Sequence, residues 1–222
     1  KELLAVCKHA GHTENITLIS HSYGGRAVLT LALEYPEALR SIIITDCFLI
    51  SPSERGEMMG LKDVPSSPFG KKKVYPSKEA GLERFKLIPP QNCNNKYLVD
   101  YIADFSIGPV EGGWSWKFDM NFVNKCKQPL TKSKLIDEIQ NISCPVANLY
   151  GEKSMLFPEI LVDLNKQKFP AHTRFHCLAD AQHHLLLDQP QAYIEVLKNI
   201  LVDLDSDFSL VSKSVTDNLI NN

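Results

Sequence analysis

Four short runs of apolar and β-branched residues stand out along the chain: 16–20 (ITLIS), 41–45 (SIIIT), 145–150 (PVANLY) and 173–177 (TRFHC). The first three carry no charge, which predicts strands buried on both faces of a parallel sheet. The fourth alternates and predicts a strand at the sheet margin. Between the first two lies 26–35 (RAVLTLALEY), apolar nearly all round, which predicts a buried helix ending at Pro36. Farther on, Tyr193, Val196, Leu197, Ile200, Leu201 and Leu204 recur at helical spacing. They predict a helix over 190–204, with Asp188 as its cap and Pro190 in its first turn. Strands that alternate with helices in this way predict an α/β fold with a mostly parallel sheet.

The stretch 48–144 is too long for a connecting loop. It holds the punctuation SSPFGKKKVYPS, helical-looking segments at 78–85 and 95–105, and both tryptophans, Trp114 and Trp116, in GGWSWKFD. A small helical insertion is expected there, with 1–47 and 145–204 forming the α/β core. Residues 205–222 are polar and predict a loose tail. Asn15-Ile-Thr17 and Asn141-Ile-Ser143 match a glycosylation sequon, but each flanks a strand predicted to be buried.

Composition narrows the function classes. Lys and Arg number 24 against 26 Asp and Glu, a formal charge of −2 over 222 residues. That balance argues against a chain built to coat nucleic acid or an anionic membrane. At 44% apolar and 23% charged residues, the chain is expected to form an ordinary globular core. No run approaches the ~18 apolar residues of a spanning helix, and the N-terminal KELLAVCKHAGH lacks the apolar stretch of a secretory signal. The six cysteines are scattered and include no CxxC pair, so reduced thiols and a cytoplasmic location are expected. The seven histidines are not spaced as metal ligands, and no phosphate-cradling glycine loop occurs; neither a metal nor an organic cofactor is expected.

The most informative segment is Ser20-His21-Ser22-Tyr23-Gly24-Gly25, between a predicted strand and a predicted helix. So tight a turn strains the central residue and requires small neighbours at Ser20 and Gly24. It also holds the Ser22 hydroxyl clear of the backbone at a helix N-terminus. The Tyr23 N–H there can receive a developing oxyanion. HSYGG in this context resembles the nucleophile elbow of the α/β-hydrolases, with Ser20 where glycine is usual. The resemblance implies an α/β-hydrolase fold with a helical cap over 48–144. It also implies a Ser22 nucleophile acting on an ester-like or carbonyl-adjacent bond of a small molecule.

A serine nucleophile needs a base. Ala179-Asp180-Ala181-Gln182-His183-His184-Leu185-Leu186-Leu187-Asp188-Gln189-Pro190 resembles the histidine loop of the same family and places His183 at the catalytic position. The acid is less direct. Where most relatives read Gly-Glu-x-Asp, this chain reads Gly151-Glu152-Lys153-Ser154, and serine carries no charge to orient an imidazolium. Asp46, closing SIIITD, is favoured as the acid because neighbouring parallel strands bring their C-terminal ends together; Glu152 is the second candidate. Trp114 and Trp116 are expected either to line the substrate site or to anchor the insertion.

The resemblance covers nearly the whole chain but only part of the family's fold. The upstream strands and a His-Gly loop supplying a second oxyanion donor have no counterpart here. A truncated form or fragment of a longer hydrolase is therefore expected, with the elbow strand at an open sheet edge. A non-catalytic relative is the alternative. Substrate and oligomeric state are left open.

Overall fold

The computed structural model of the chain describes residues 2–49, 72–119, 132–156 and 158–220. They belong to two compact units, one formed by 1–51 with 130–222 and the other by 52–129.

The first unit contains a parallel sheet built from β1 (Ile16–His21), β2 (Leu39–Thr45), β5 (Val146–Gly151) and β6 (Arg174–Leu178), in the spatial order β1-β2-β5-β6. The connections are α2 (Gly24–Glu34) between β1 and β2, and α6 (Glu159–Lys168) between β5 and β6. Before β1 comes α1 (Glu2–His9), and before β5 comes α5 (Lys132–Glu138). Strand β2 shows why the sheet is buried on both faces. Ile42 and Ile44 enter a cluster with Val28, Leu29 and Ala32 of α2 and with Leu135, Ile139 and Val146. Ile43, pointing the other way, joins Ala147, Leu149, Leu178, Leu185, Ile200 and Leu204. Burying a side chain of this size contributes roughly 1.5–3 kcal/mol, so these two clusters are what hold the strands in order.

Two features of this unit differ from the sequence expectation. β1 is not buried on both faces: Ile19, in register with Ile43, is 48% exposed because β1 ends the strand order. The final helix, α8 (Pro190–Ile220), does not stop at Leu204 but runs through most of the segment expected as a tail. Arg40 pairs with Asp205 and Arg174 with Asp207, so two polar residues just past Leu204 have partners on β2 and β6; Arg174 also pairs with Asp203, just before Leu204. A short helix, α7 (Leu185–Asp188), precedes it.

The second unit holds α3 (Lys78–Leu82), α4 (Lys96–Ser106) and an antiparallel hairpin of β3 (Ile107–Val110) with β4 (Gly113–Trp116). Leu135, Ile139 and Ile142 are buried in the first unit's core. They belong to a segment of that unit that begins at Leu130, whereas the sequence expectation drew its boundary at 144/145. Among the described residues, no helix is long and apolar enough to cross a membrane.

Candidate active site

The candidate catalytic side chains lie just past the C-terminal ends of the parallel strands: Ser22 after β1, Asp46 after β2, Glu152 after β5 and His183 after β6. This is the edge at which open α/β sheets bind ligands. Two of these residues sit in the left-handed region that ordinary side chains avoid, Ser22 at φ 53° and Asp46 at φ 46°. Hydrogen bonds hold both there. Ser22 N–H donates to the Thr45 carbonyl at 2.8 Å, and Asp46 N–H donates to Leu149 O at 2.8 Å, each one residue beyond the regular ladder. The turn at Ser22 tightens further because Gly25 N–H donates to Ser22 O. Gly25 is the spatially demanding position of the turn: a Cβ there would lie 2.7 Å from Cys47 and 2.9 Å from Ile44. At Gly24 the nearest atom would be Ser20 Cβ at 3.8 Å, an ordinary contact.

Asp46 and His183 are 1% and 2% exposed. His183 Nδ1–H donates to Asp46 Oδ2 at 2.6 Å. The same oxygen accepts from Ser154 Oγ at 2.6 Å, and Asp46 Oδ1 accepts from the Gly151 N–H at 3.0 Å. The carboxylate is thus gripped from β5, from the turn after it and from the histidine loop. Gly151 also lets that loop close in, since a Cβ there would meet Ala181 O at 2.4 Å and Gln182 O at 2.6 Å. The segment following Asp46 is pinned by Leu49 N–H donating to the buried Asn165 Oδ1 at 2.7 Å. With Nδ1 committed to Asp46, Nε2 is the His183 nitrogen left to act as a base. No hydrogen bond joins Ser22 Oγ to His183 among the described residues; contacts of this kind commonly tighten only around bound substrate.

His21, next to the serine, ties the elbow to the histidine loop: its Nε2–H donates to the His183 carbonyl at 2.8 Å. Burial holds the His21 imidazole below its ordinary pKa, with the His183 backbone bond pulling the other way. The rings of His21, His183 and His184 lie against one another, centroids 4.7, 5.4 and 4.9 Å apart. Folding thus groups three histidines that sequence spacing alone does not mark as ligands. Cys47, beside Asp46, is a buried thiol that desolvation pushes up to about 12, which disfavours the reactive thiolate.

No family model matches the chain. It is 24% identical over 199 residues to a pimeloyl-acyl-carrier protein methyl ester esterase of Aeromonas hydrophila, covering 85% of this chain and 71% of that relative. It is 22% identical over 205 residues to a serine hydrolase-like protein of Danio rerio, covering 85% of this chain and 61% of the relative. The peroxisomal alpha-beta-hydrolase of Saccharomyces cerevisiae superposes with a TM-score of 0.66 at 14% identity, over 99% of this chain and 66% of that one. The chain has the α/β-hydrolase fold.

Within this α/β-hydrolase fold the other residues singled out by sequence take definite places. Tyr23 occupies the N-cap position of α2, with Arg26 over its ring at 5.8 Å. Glu152 is exposed and accepts from the Asp180 N–H at 2.9 Å, whereas Asp46 is the carboxylate on His183. Trp114 and Trp116 share one side of β4 and are half-buried within the second unit. Trp116 contacts Phe85 and Tyr75, its Nε1–H donating to Tyr75 Oη at 3.4 Å, and Lys78 lies over Trp114. Ser154, Gly151, Asn165 and His21 are site residues that sequence reasoning missed. Ser154 gave a signal, as the serine standing where relatives carry an acid, but its side chain supports an acid that comes from elsewhere.

Proposed function

We propose that the chain is a serine hydrolase acting on ester-like bonds of a small-molecule substrate. The observation that carries this reading is the buried 2.6 Å bond between Asp46 and His183, at strand ends adjoining a serine held in the left-handed region. Ser22 Oγ attacks the substrate carbonyl carbon while His183 Nε2 takes its proton. The negative charge that develops on the carbonyl oxygen is received by the Tyr23 N–H at the start of α2. His183 then returns the proton to the departing alcohol oxygen as its bond to the acyl carbon breaks, leaving an acyl group on Ser22. Water repeats the sequence, giving a proton to His183 and its oxygen to the acyl carbon, and the acid product and the Ser22 hydroxyl are regenerated. Asp46 keeps Nδ1 protonated and steadies the imidazolium throughout.

The ester class is supported by the curated relatives, one named as a methyl ester esterase and one as a serine hydrolase-like protein. The second unit is read as a helical cap of the kind this family carries, and the cytoplasm as the location of the chain. The test is labelling with a fluorophosphonate probe together with turnover of a small aryl ester. Labelling of the intact chain, abolished in Ser22→Ala and reduced by about 10⁶-fold in His183→Ala, is the expected result. Folded protein that neither labels nor turns over any ester overturns the reading.

A further inference from the structure

One ring nitrogen from each of His21, His183 and His184 lies within 4.8 Å of the other two. Two of these rings have their tautomers set by the fold. His21 donates through Nε2 to the His183 carbonyl, so its Nδ1 presents a lone pair. His183 donates through Nδ1 to Asp46, so its Nε2 does the same. A carboxylate behind an imidazole, fixing its orientation and raising its basicity, is the arrangement that metal-binding histidines use. Three neutral imidazoles suit a borderline divalent ion such as Zn²⁺, which commonly takes three protein ligands and leaves its fourth position to water.

The dimensions fit with a small adjustment. Zn–N bonds of about 2.0–2.1 Å in tetrahedral geometry set neighbouring nitrogens about 3.4 Å apart. One ring nitrogen of each histidine lies no more than 4.8 Å from the others, so reaching that spacing takes a closure of about 1.4 Å at most. The three residues are already gathered by the fold: His21 ends β1, and the His183 backbone is tied to it.

We propose that His21, His183 and His184 form a binding site for a divalent transition ion of the zinc class, and that the bound ion switches the hydrolase off. The ion takes the His183 nitrogen that serves as the base, so Ser22 can no longer pass its proton there. The inhibitory half rests on the serine hydrolase reading; the binding half does not.

Zinc binding to the full chain is measured by competition with a chromophoric chelator, and site geometry by the visible absorption of Co²⁺. Ser22 labelling by a fluorophosphonate is followed with and without zinc. One ion per chain, tetrahedral Co²⁺ bands, and affinity falling about tenfold or more in both His184→Gln and His21→Gln are expected. Zinc should block labelling of the wild type, a chelator should restore it, and His184→Gln should label at equal rates with and without zinc. Folded wild type with no saturable zinc binding, or an affinity unmoved by either substitution, overturns the site. Zinc held by these histidines with labelling unaltered overturns the inhibition. A wild type that binds zinc at these histidines yet never labels, even in chelator, leaves the metal site standing and overturns the hydrolase reading alone.

Discussion

Asp46 accepts hydrogen bonds from three donors on separate segments, the Gly151 N–H, the Ser154 hydroxyl and His183 Nδ1–H. Replacing it by asparagine offers the imidazole an amide that can donate, which favours the wrong tautomer. Turnover of an aryl ester by Asp46→Asn is expected to fall about 10⁴-fold with little change in fold. Unchanged turnover would remove Asp46 from the mechanism. Ser154→Ala deletes one hydrogen bond to a charged group, worth about 1.5–3 kcal/mol. The expected loss is smaller, of order tenfold, and in kcat more than in KM. A second residue-scale prediction concerns His21. Burial holds its folded pKa below the ordinary imidazole value, which the unfolded chain regains. Between the two values the unfolded state binds the extra proton, so the stabilisation is complete above about pH 6.5 and declines as pH falls toward the folded value. His176, lowered by burial in the same sense, adds to it. Urea midpoints are expected to drop on acidification through this window, and His21→Gln to shrink the drop; a drop that the substitution leaves unchanged would assign the effect to other groups.

The elbow illustrates how much of an element the sequence could reveal. Strand, sharp turn and helix were legible over 16–35, because charge-free apolar runs and the small residues around Ser22 leave few alternatives. Which glycine the turn depends on was not legible, since that is a matter of distance to other elements. The sequence argument points to Gly24, whereas the geometry places the tight approach at Gly25, against Cys47 and Ile44. Gly25→Ala must push α2 away from β2 and is expected to cost about 1–3 kcal/mol of stability by chemical unfolding. Gly24→Ala is expected to be neutral, or to stabilise the chain by up to about 1 kcal/mol, through its better helix propensity. Equal effects of the two substitutions would contradict the packing described here. The hairpin of β3 and β4 was missed for a different reason. Pro109 sits within β3 and glycines fill the turn, so the segment shows little β-branched alternation, and its pairing is visible only in the register of Ile107 with Trp116. α5 was likewise hidden inside a long insertion; its assignment to the first unit rests on Leu135 meeting a core formed by distant residues.

At the scale of the molecule, chemistry and spectroscopy divide between the two units. Ser22, Asp46, Ser154 and His183 belong to the first, and both tryptophans of the chain belong to the second. Each unit has its own apolar contacts, in the first the two clusters on either face of the sheet and in the second the rings of Tyr75, Phe85 and Trp116. The sequence left two roles open for Trp114 and Trp116, lining a pocket or anchoring the insertion, because alternation fixes only that they share a side. Within the second unit, Trp116 holds Phe85 at 5.5 Å and Tyr75 at 6.2 Å, and Trp114 exchanges backbone hydrogen bonds with Tyr75 at 2.7 and 2.8 Å. Those contacts give both residues structural work in their own unit. Truncating a large aromatic side chain typically costs about 3–5 kcal/mol when it is fully buried, so half-buried Trp116 should cost less. Trp116→Ala is therefore expected to shift the urea midpoint of the remaining Trp114 emission downward, and Trp116→Phe to recover most of the shift. Ser22 labelling, followed through the same titration, reports the first unit, whose two clusters include neither tryptophan. Its midpoint is expected to stay in place while the emission midpoint moves. Two midpoints that move together would show that the turn at Ser22 depends on the second unit for its stability. A Trp116→Phe variant that keeps the emission midpoint but raises KM for the ester would instead assign the ring to substrate binding.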